Sequence, residues 1–459
     1  MLTANRTTTS TVTGAAAPPP SRGPARLLTA LPLAGASLVV TAVLAVVYEA
    51  GLLPIALSAL LTLLLVAVAS VLYLGYRPRR LPASVLGMAM AAAPVVLLAT
   101  ALMTGPAHLG VPITVLTTRL AAVGGWWLSL AIMRPLVDRL GSPRMPVWRA
   151  SLIFAPALIV AGMCAFAWRG GDGATKTAQR FALLFKTEDN AAWVSHAYAM
   201  LRNGHLPRTA LESEYYTYSS VSSMPGVLAD VALRDRPATH TATAYAAIDV
   251  TMANELLAIV TAGALLAAAL LAALVLFDRE QRPPSLGIPL LSLAVTGVGA
   301  SVVAGTPLLL AGHLSLAWAD VALVLMALFV VVAIRADSWR TFAPPFAAAC
   351  LTAYAAAGSW VYVITTPIVF GVLLISLRRS GLQERPGAKI GDGPRVIWLA
   401  VGVMVAGIVA AVPQFVDALQ QVGLKGLSGA TPPSAPEPCS SASPSRTSPT
   451  AGPTASVSW

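Results

Sequence analysis

The constraint that outweighs every other in this chain is a succession of uncharged apolar runs, each about as long as a bilayer is thick. A hydrocarbon core of about 30 Å takes about 20 helical residues. On that ruler about eleven spans can be read, at residues 27–48, 52–74, 82–103, 113–133, 150–168, 251–277, 286–310, 318–334, 342–357, 359–377 and 396–414. A segment in lipid must satisfy its own backbone hydrogen bonds, so such runs predict helices. The expected fold class is therefore all-α, a polytopic integral membrane protein. Composition agrees: 56% of residues are hydrophobic and 11% charged, with mean hydropathy +0.74, whereas soluble domains carry roughly 25% charged residues.

The formal net charge of +11 does not make this a nucleic-acid binder, because the basic residues sit between the apolar runs. Their distribution is a topology signal. Arg77, Arg79 and Arg80 follow the second run, and Arg134, Arg139, Arg144 and Arg149 follow the fourth. Arg279 and Arg282, Arg335 and Arg340, and then Arg378 through Arg395 continue the alternation. The intervening short loops, at 49–51, 104–112, 311–317 and 358, contain no Lys or Arg. The expected N-terminus is cytoplasmic and the C-terminus external. Residues 1–26 and 415–459, rich in Ser, Thr, Pro and Ala, read as a disordered cytoplasmic lead-in and a low-complexity external tail. Only four of the 30 basic residues are Lys, a bias expected of a GC-rich bacterial genome. Cys164, Cys350 and Cys439 have no metal or disulfide spacing, so cysteine chemistry is not expected.

This topology places one long polar loop, residues 169–250, on the external face. Within it, Thr187 is a plausible N-cap with Glu188, Asp189 and Asn190 in the first turn of a helix. Trp193, Val194, Ala197, Met200 and Leu201 form an amphipathic stripe, Gly204 is the stop, and Pro207 lies beyond. Such a helix is expected to lie flat on the outer surface with its stripe in the membrane interface. Its acids have an ordinary explanation in capping and dipole compensation. Further on, residues 212–225 mix acids, aromatics and hydroxyls, a composition compatible with carbohydrate as well as with a plain surface loop.

Two charges stand within apolar runs. Arg119, in the outer half of the fourth span, either faces a polar pocket or lipid phosphate, or snorkels to the outer headgroups. Asp320 stands at the expected external mouth of the eighth span, where a dipole-favoured cap and a functional carboxylate are equally good readings. Glu49 and Glu255 fall at span ends on the same side.

Taken together, these features resemble the GT-C superfamily of membrane glycosyltransferases. Its members share a seven-span module whose first helix is followed by a large external loop with an acidic motif near its start. Residues 150–414 hold seven of the expected spans, preceded by a four-span extension over 27–149. The stretch from Asp189 to Pro207 is similar to the pattern of the aminoarabinose- and mannosyl-transferase branches: Asp189 matches an acid, Trp193 an aromatic, Met200-Leu201 a Met-Leu pair and Gly204 a glycine. Asp320 matches an Asp at the start of the module's fourth span. Asn190 departs from the pattern, which has a second acid there, and Glu188 stands on the other side. The large soluble C-terminal domain usual in the family has no counterpart here.

The resemblance implies transfer of a sugar from a polyprenyl-phosphate donor to a cell-envelope glycan, lipid or protein, on the external face of the cell membrane. It implies Asp189 as general base, with Asp320 or Glu188 orienting the acceptor or holding a divalent cation. Asn190, Trp193, His196, Arg202 and Arg119 are the implied substrate contacts. Three other classes fit the same chain: a non-catalytic scaffold of this shape, a transporter or lipid flippase with Arg119, Glu49 and Glu255 along a path, and a polysaccharide polymerase or ligase leaning on external Arg and His.

Overall fold

A helix whose leucines point outward and whose hydroxyls point inward is built for a solvent other than water. α2 (Ile55–Leu74) is such a helix. Leu60, Leu63 and Leu64 are 60–67% exposed, while Ser58, Thr62, Ser70 and Tyr73 are buried. Two of the inward hydroxyls are satisfied within the helix itself, Thr62 Oγ1 donating to the Ser58 carbonyl at 2.9 Å and Ser70 Oγ to that of Val66 at 2.6 Å, while Ser58 Oγ donates across to the Leu44 carbonyl of α1 at 3.0 Å. Small and hydroxylated residues let helices approach closely, which is how helices associate in lipid. The exposed leucines are what a hydrocarbon surround requires.

The computed structural model describes residues 23–75, 81–140, 146–168, 188–207, 221–233, 243–277, 314–334, 336, 338–356, 394–409 and 412. All belong to one unit, residues 1–414. Among them every regular element is a helix. α1 (Gly23–Glu49) pairs with α2 and with α5; α3 (Leu81–Ala92) and α4 (Val95–His108) both lean on α5 (Val115–Val137). α6 (Val147–Trp168) packs along α9 (Ala244–Phe277). Between them in sequence come α7 (Glu188–Asn203) and α8 (Met224–Leu233), then α10 (Leu314–Ile334), α11 (Trp339–Ala356) and α12 (Pro394–Val409). α5 and α9 are the two hubs, and α10 joins α9 to α11.

Four of the described helices, α1 from Leu31, α2, α5 and α9 to Val275, are long and apolar enough to cross a membrane, and α3 with α4 would make a fifth. The protein is membrane-embedded by this measure. The runs expected at 286–310 and 359–377 lie outside the described residues, as do Thr187, residues 208–220 and the tail.

Four expectations need correction. The run at 82–103 is not one straight span: α3 and α4 bend by 46° at their junction. Pro94 sits there, and proline removes a helix hydrogen bond and clashes with the preceding turn. The polar loop does not extend to residue 250, because α9 begins at Ala244, where Thr243 caps it by accepting from Ala246 N at 3.1 Å. α9 is therefore 34 residues long, roughly 51 Å, longer than a hydrocarbon core of about 30 Å. The stripe of α7 does not face lipid: Val194, Ala197, Met200 and Leu201 are buried in a cluster with Met224, Val227 and Leu228 of α8 and Ala247 and Ile248 of α9. The stripe found a protein partner instead of lipid. Finally, Asp320 is the seventh residue of α10, with no acid in its first turn, so the capping explanation fails.

Candidate functional site

α7 owes its shape to both of its faces. Its buried side runs through Asn190, Trp193, Val194, Ala197, Met200 and Leu201, the three-and-four spacing of a helix that packs on neighbours. Gly204 ends it with φ +68°, a left-handed conformation that glycine adopts without strain, and its N–H returns to the Met200 carbonyl at 2.9 Å. The Gly204 carbonyl then accepts from Ile113 N, which ties the end of α7 to the turn leading into α5.

Toward the N-terminal half of α7 the packing turns polar. A short 3₁₀ turn at 221–223 leads into α8, and from it Ser223 Oγ donates to the Trp193 carbonyl at 3.3 Å. Asn254 of α9 donates through Nδ2 to the Ser222 carbonyl at 2.9 Å and accepts from Trp318 Nε1 of α10 at 3.0 Å. One amide thus links three elements. Asn190 and His196 are fully buried and Glu255 nearly so, and each has an interaction partner. The Trp193 and His196 rings lie 5.8 Å apart, tilted by 60°. Beside this layer a cavity of about 20 Å3, room for one water, is lined by Thr100, Ser222, Ser315 and Trp318 among others.

Gly226 lets α8 come this close. A Cβ there would meet Asn254 Cβ at 2.6 Å and the Val250 carbonyl oxygen at 2.9 Å, distances that real side chains do not tolerate. The close approach brings the 221–223 turn within reach of Asn254.

The expected site residues are therefore divided. Asn190, Trp193 and His196 share the buried face of α7. Glu188 and Asp189 are its first two residues, and their side chains lie outside the described residues. Arg202 is exposed near the other end of the helix. Asp320 sits on α10 two residues beyond Trp318, half-buried and engaged with a partner.

Arg119 does something else. It is 4% exposed. Its Nε and Nη2 donate to the Ala232 carbonyl of α8 at 3.4 and 3.3 Å, its Nη1 donates to Ser58 Oγ of α2, and it stands 5.7 Å from the Tyr48 ring centroid. The snorkelling reading is overturned: the guanidinium fastens α1, α2, α5 and α8 together. Glu49, expected beside it, caps α5 by accepting from Leu116 N at 3.3 Å.

Ser222, Ser223, Asn254 and Trp318 were not expected as a set. Asn254 was legible as an amide in an apolar stretch, but only the fold brings it to Trp318, which is 64 residues away. Among the described residues no three His, Cys, Asp or Glu side chains converge on a metal position; the side chain of Glu188, one of the two residues the resemblance implies for a cation, lies outside them. No protein-family model, curated protein or solved structure matches this chain.

Proposed function

We propose that the protein is a membrane glycosyltransferase that moves a sugar from a polyprenyl-phosphate donor to a cell-envelope acceptor. The observation that carries this reading is the anchoring of α7. Its first residues, Glu188 and Asp189, head a helix held along its buried face by an apolar cluster and, toward its N-terminal half, by the Ser223–Trp193 bond. A carboxylate on a rigid platform at the edge of a membrane bundle is what proton removal from a bound hydroxyl needs, since positioning supplies much of the rate.

In the proposed step Asp189 takes the acceptor hydroxyl's proton as that oxygen bonds to the anomeric carbon. The bond from the anomeric carbon to the phosphate oxygen breaks, and the polyprenyl phosphate departs with the electron pair. Asp320, on the same helix as Trp318, is the candidate for orienting the acceptor. The proposed active face is external.

The test supplies the purified protein in lipid nanodiscs with polyprenyl-phospho-sugars and a mixed envelope-lipid acceptor. Asp189→Asn is expected to reduce transfer by 100-fold or more, within the range of general-base contributions of roughly 10²–10⁴. Full transfer by that variant would end the general-base assignment. Donor binding without transfer, unchanged between wild type, Asp189→Asn and Asp320→Asn, would favour the scaffold. The flippase reading put Arg119 along a path; three of its N–H groups are instead engaged by Ser58 and Ala232.

A further inference from the structure

A second and much larger cavity lies in the groove where α8 and α9 run side by side. It measures about 400 Å3 and is lined by Asp230 and Leu233 of α8 and by Asp249, Val250, Ala253 and Leu257 of α9, among others. Small-molecule sites are typically about 300–1,000 Å3, mostly apolar, with a few placed polar groups. This groove has that build: apolar walls and one carboxylate contributed by each helix. It opens at the protein surface, with Leu233 68% exposed at its edge.

Its level in the molecule is informative. Residues 256–277 of α9 contain no charged residue and measure roughly 33 Å, about the thickness of a hydrocarbon core. Leu257 stands at the head of that stretch, and Asp249 two turns before it. One wall of the groove therefore runs from apolar depth to polar surface. Asp230 and Asp249 each have an interaction partner already, yet an ionised carboxylate offers about four acceptor positions, which leaves capacity for hydroxyl donors. A calcium ion wants 6–8 oxygen ligands, more than two carboxylates supply.

We propose that the α8–α9 groove binds an amphiphile with a hydroxyl-rich, sugar-like head, the head on Asp230 and Asp249 and the chain along Leu233, Val250 and Leu257. Assigning the groove as the acceptor seat rests on the transferase reading; the binding itself does not.

The experiment measures saturable binding of tritiated octyl glucoside to the full chain in lipid nanodiscs, against two competitors of equal chain length, octyl tetraethylene glycol ether and octylammonium. The expected result is at least a tenfold preference for the glucoside, lost in the Asp230→Asn, Asp249→Asn double variant. Ala253→Trp, a substitution at an exposed groove position, is expected to abolish binding while leaving the protein monodisperse and its melting temperature within a few degrees. Equal affinity for all three amphiphiles, stronger binding of octylammonium, or undiminished binding by Ala253→Trp would each overturn the proposal. Asp189→Asn is expected to keep glucoside binding while losing transfer. Loss of transfer chemistry in the wild type with glucoside binding intact would therefore sink the transferase reading and leave the groove standing.

Discussion

Arg119 and Asn254 show what a single polar side chain accomplishes inside a bundle that hydrophobicity alone cannot hold in register. Lipid offers helices no hydrophobic reason to associate, so packing and hydrogen bonds must do it. Arg119 reaches Ser58 and the Ala232 carbonyl in different directions, which a planar, forked guanidinium can do and an ammonium cannot. Arg119→Lys is therefore expected to lower stability by about 1–3 kcal/mol, read as a drop in the melting temperature of the purified protein. A snorkelling arginine would tolerate the same change. Asn254→Leu strands Trp318 Nε1 and the Ser222 carbonyl, and a loss of about 1–3 kcal/mol is expected there too. An Asn254→Leu variant that melts with wild type would show that the amide layer is not what joins α9 to α10. Both residues could be singled out in the sequence as polar groups in apolar surroundings. Their partners could not, because Ala232 is 113 positions from Arg119 and Trp318 is 64 from Asn254.

Helices in this chain were legible where one property repeated and illegible where two competed. α2 and α5 came out within a few residues of their expected bounds, because uninterrupted apolar runs can do little else. α9 was expected from residue 251 and begins at Ala244, since Tyr245 and Asp249 look like loop residues until α7 and α8 are seen packed against that part of the helix. α7 was correctly expected as an amphipathic helix, but its stripe has the same spacing whether it meets lipid or protein. The α8–α9 contact yields the test at this scale. Gly226→Val places methyl groups where Asn254 and the Val250 carbonyl already stand, and overpacking of this kind typically costs about 1–3 kcal/mol. The expected consequence is a lower melting temperature together with weaker octyl glucoside binding, because the α8–α9 groove shares Gly226 as a wall. Unchanged values of both would mean that α8 is free to shift.

For the molecule as a whole, the outward leucines of α2 and the four helices of membrane-crossing length establish the setting, and the alternation of arginines supplies the proposed orientation. That orientation is open to a direct check. With the native cysteines replaced by alanine, Leu109→Cys, in the turn after α4 where Leu109 is 89% exposed, is expected to react in intact cells with a membrane-impermeant maleimide. Arg139→Cys, at the exposed end of α5, is expected to react only after permeabilisation. The reverse pattern would place the head of α7 in the cytoplasm and remove the external transferase reading with it.

By itself the sequence determined the solvent. Apolar runs of bilayer length admit only structures that satisfy their own backbone, and that argument needs no tertiary information. It also determined that α7 would form and where it would stop, because the stripe and Gly204 act locally. The tertiary structure decided what each polar exception is for. Arg119 became a clamp, Asn254 a bridge, Asp320 a residue within α10 rather than its cap, and Asp230 and Asp249 the two acids of one groove. Such roles depend on which groups meet across long separations, and side-chain spacing along a single helix carries no record of that.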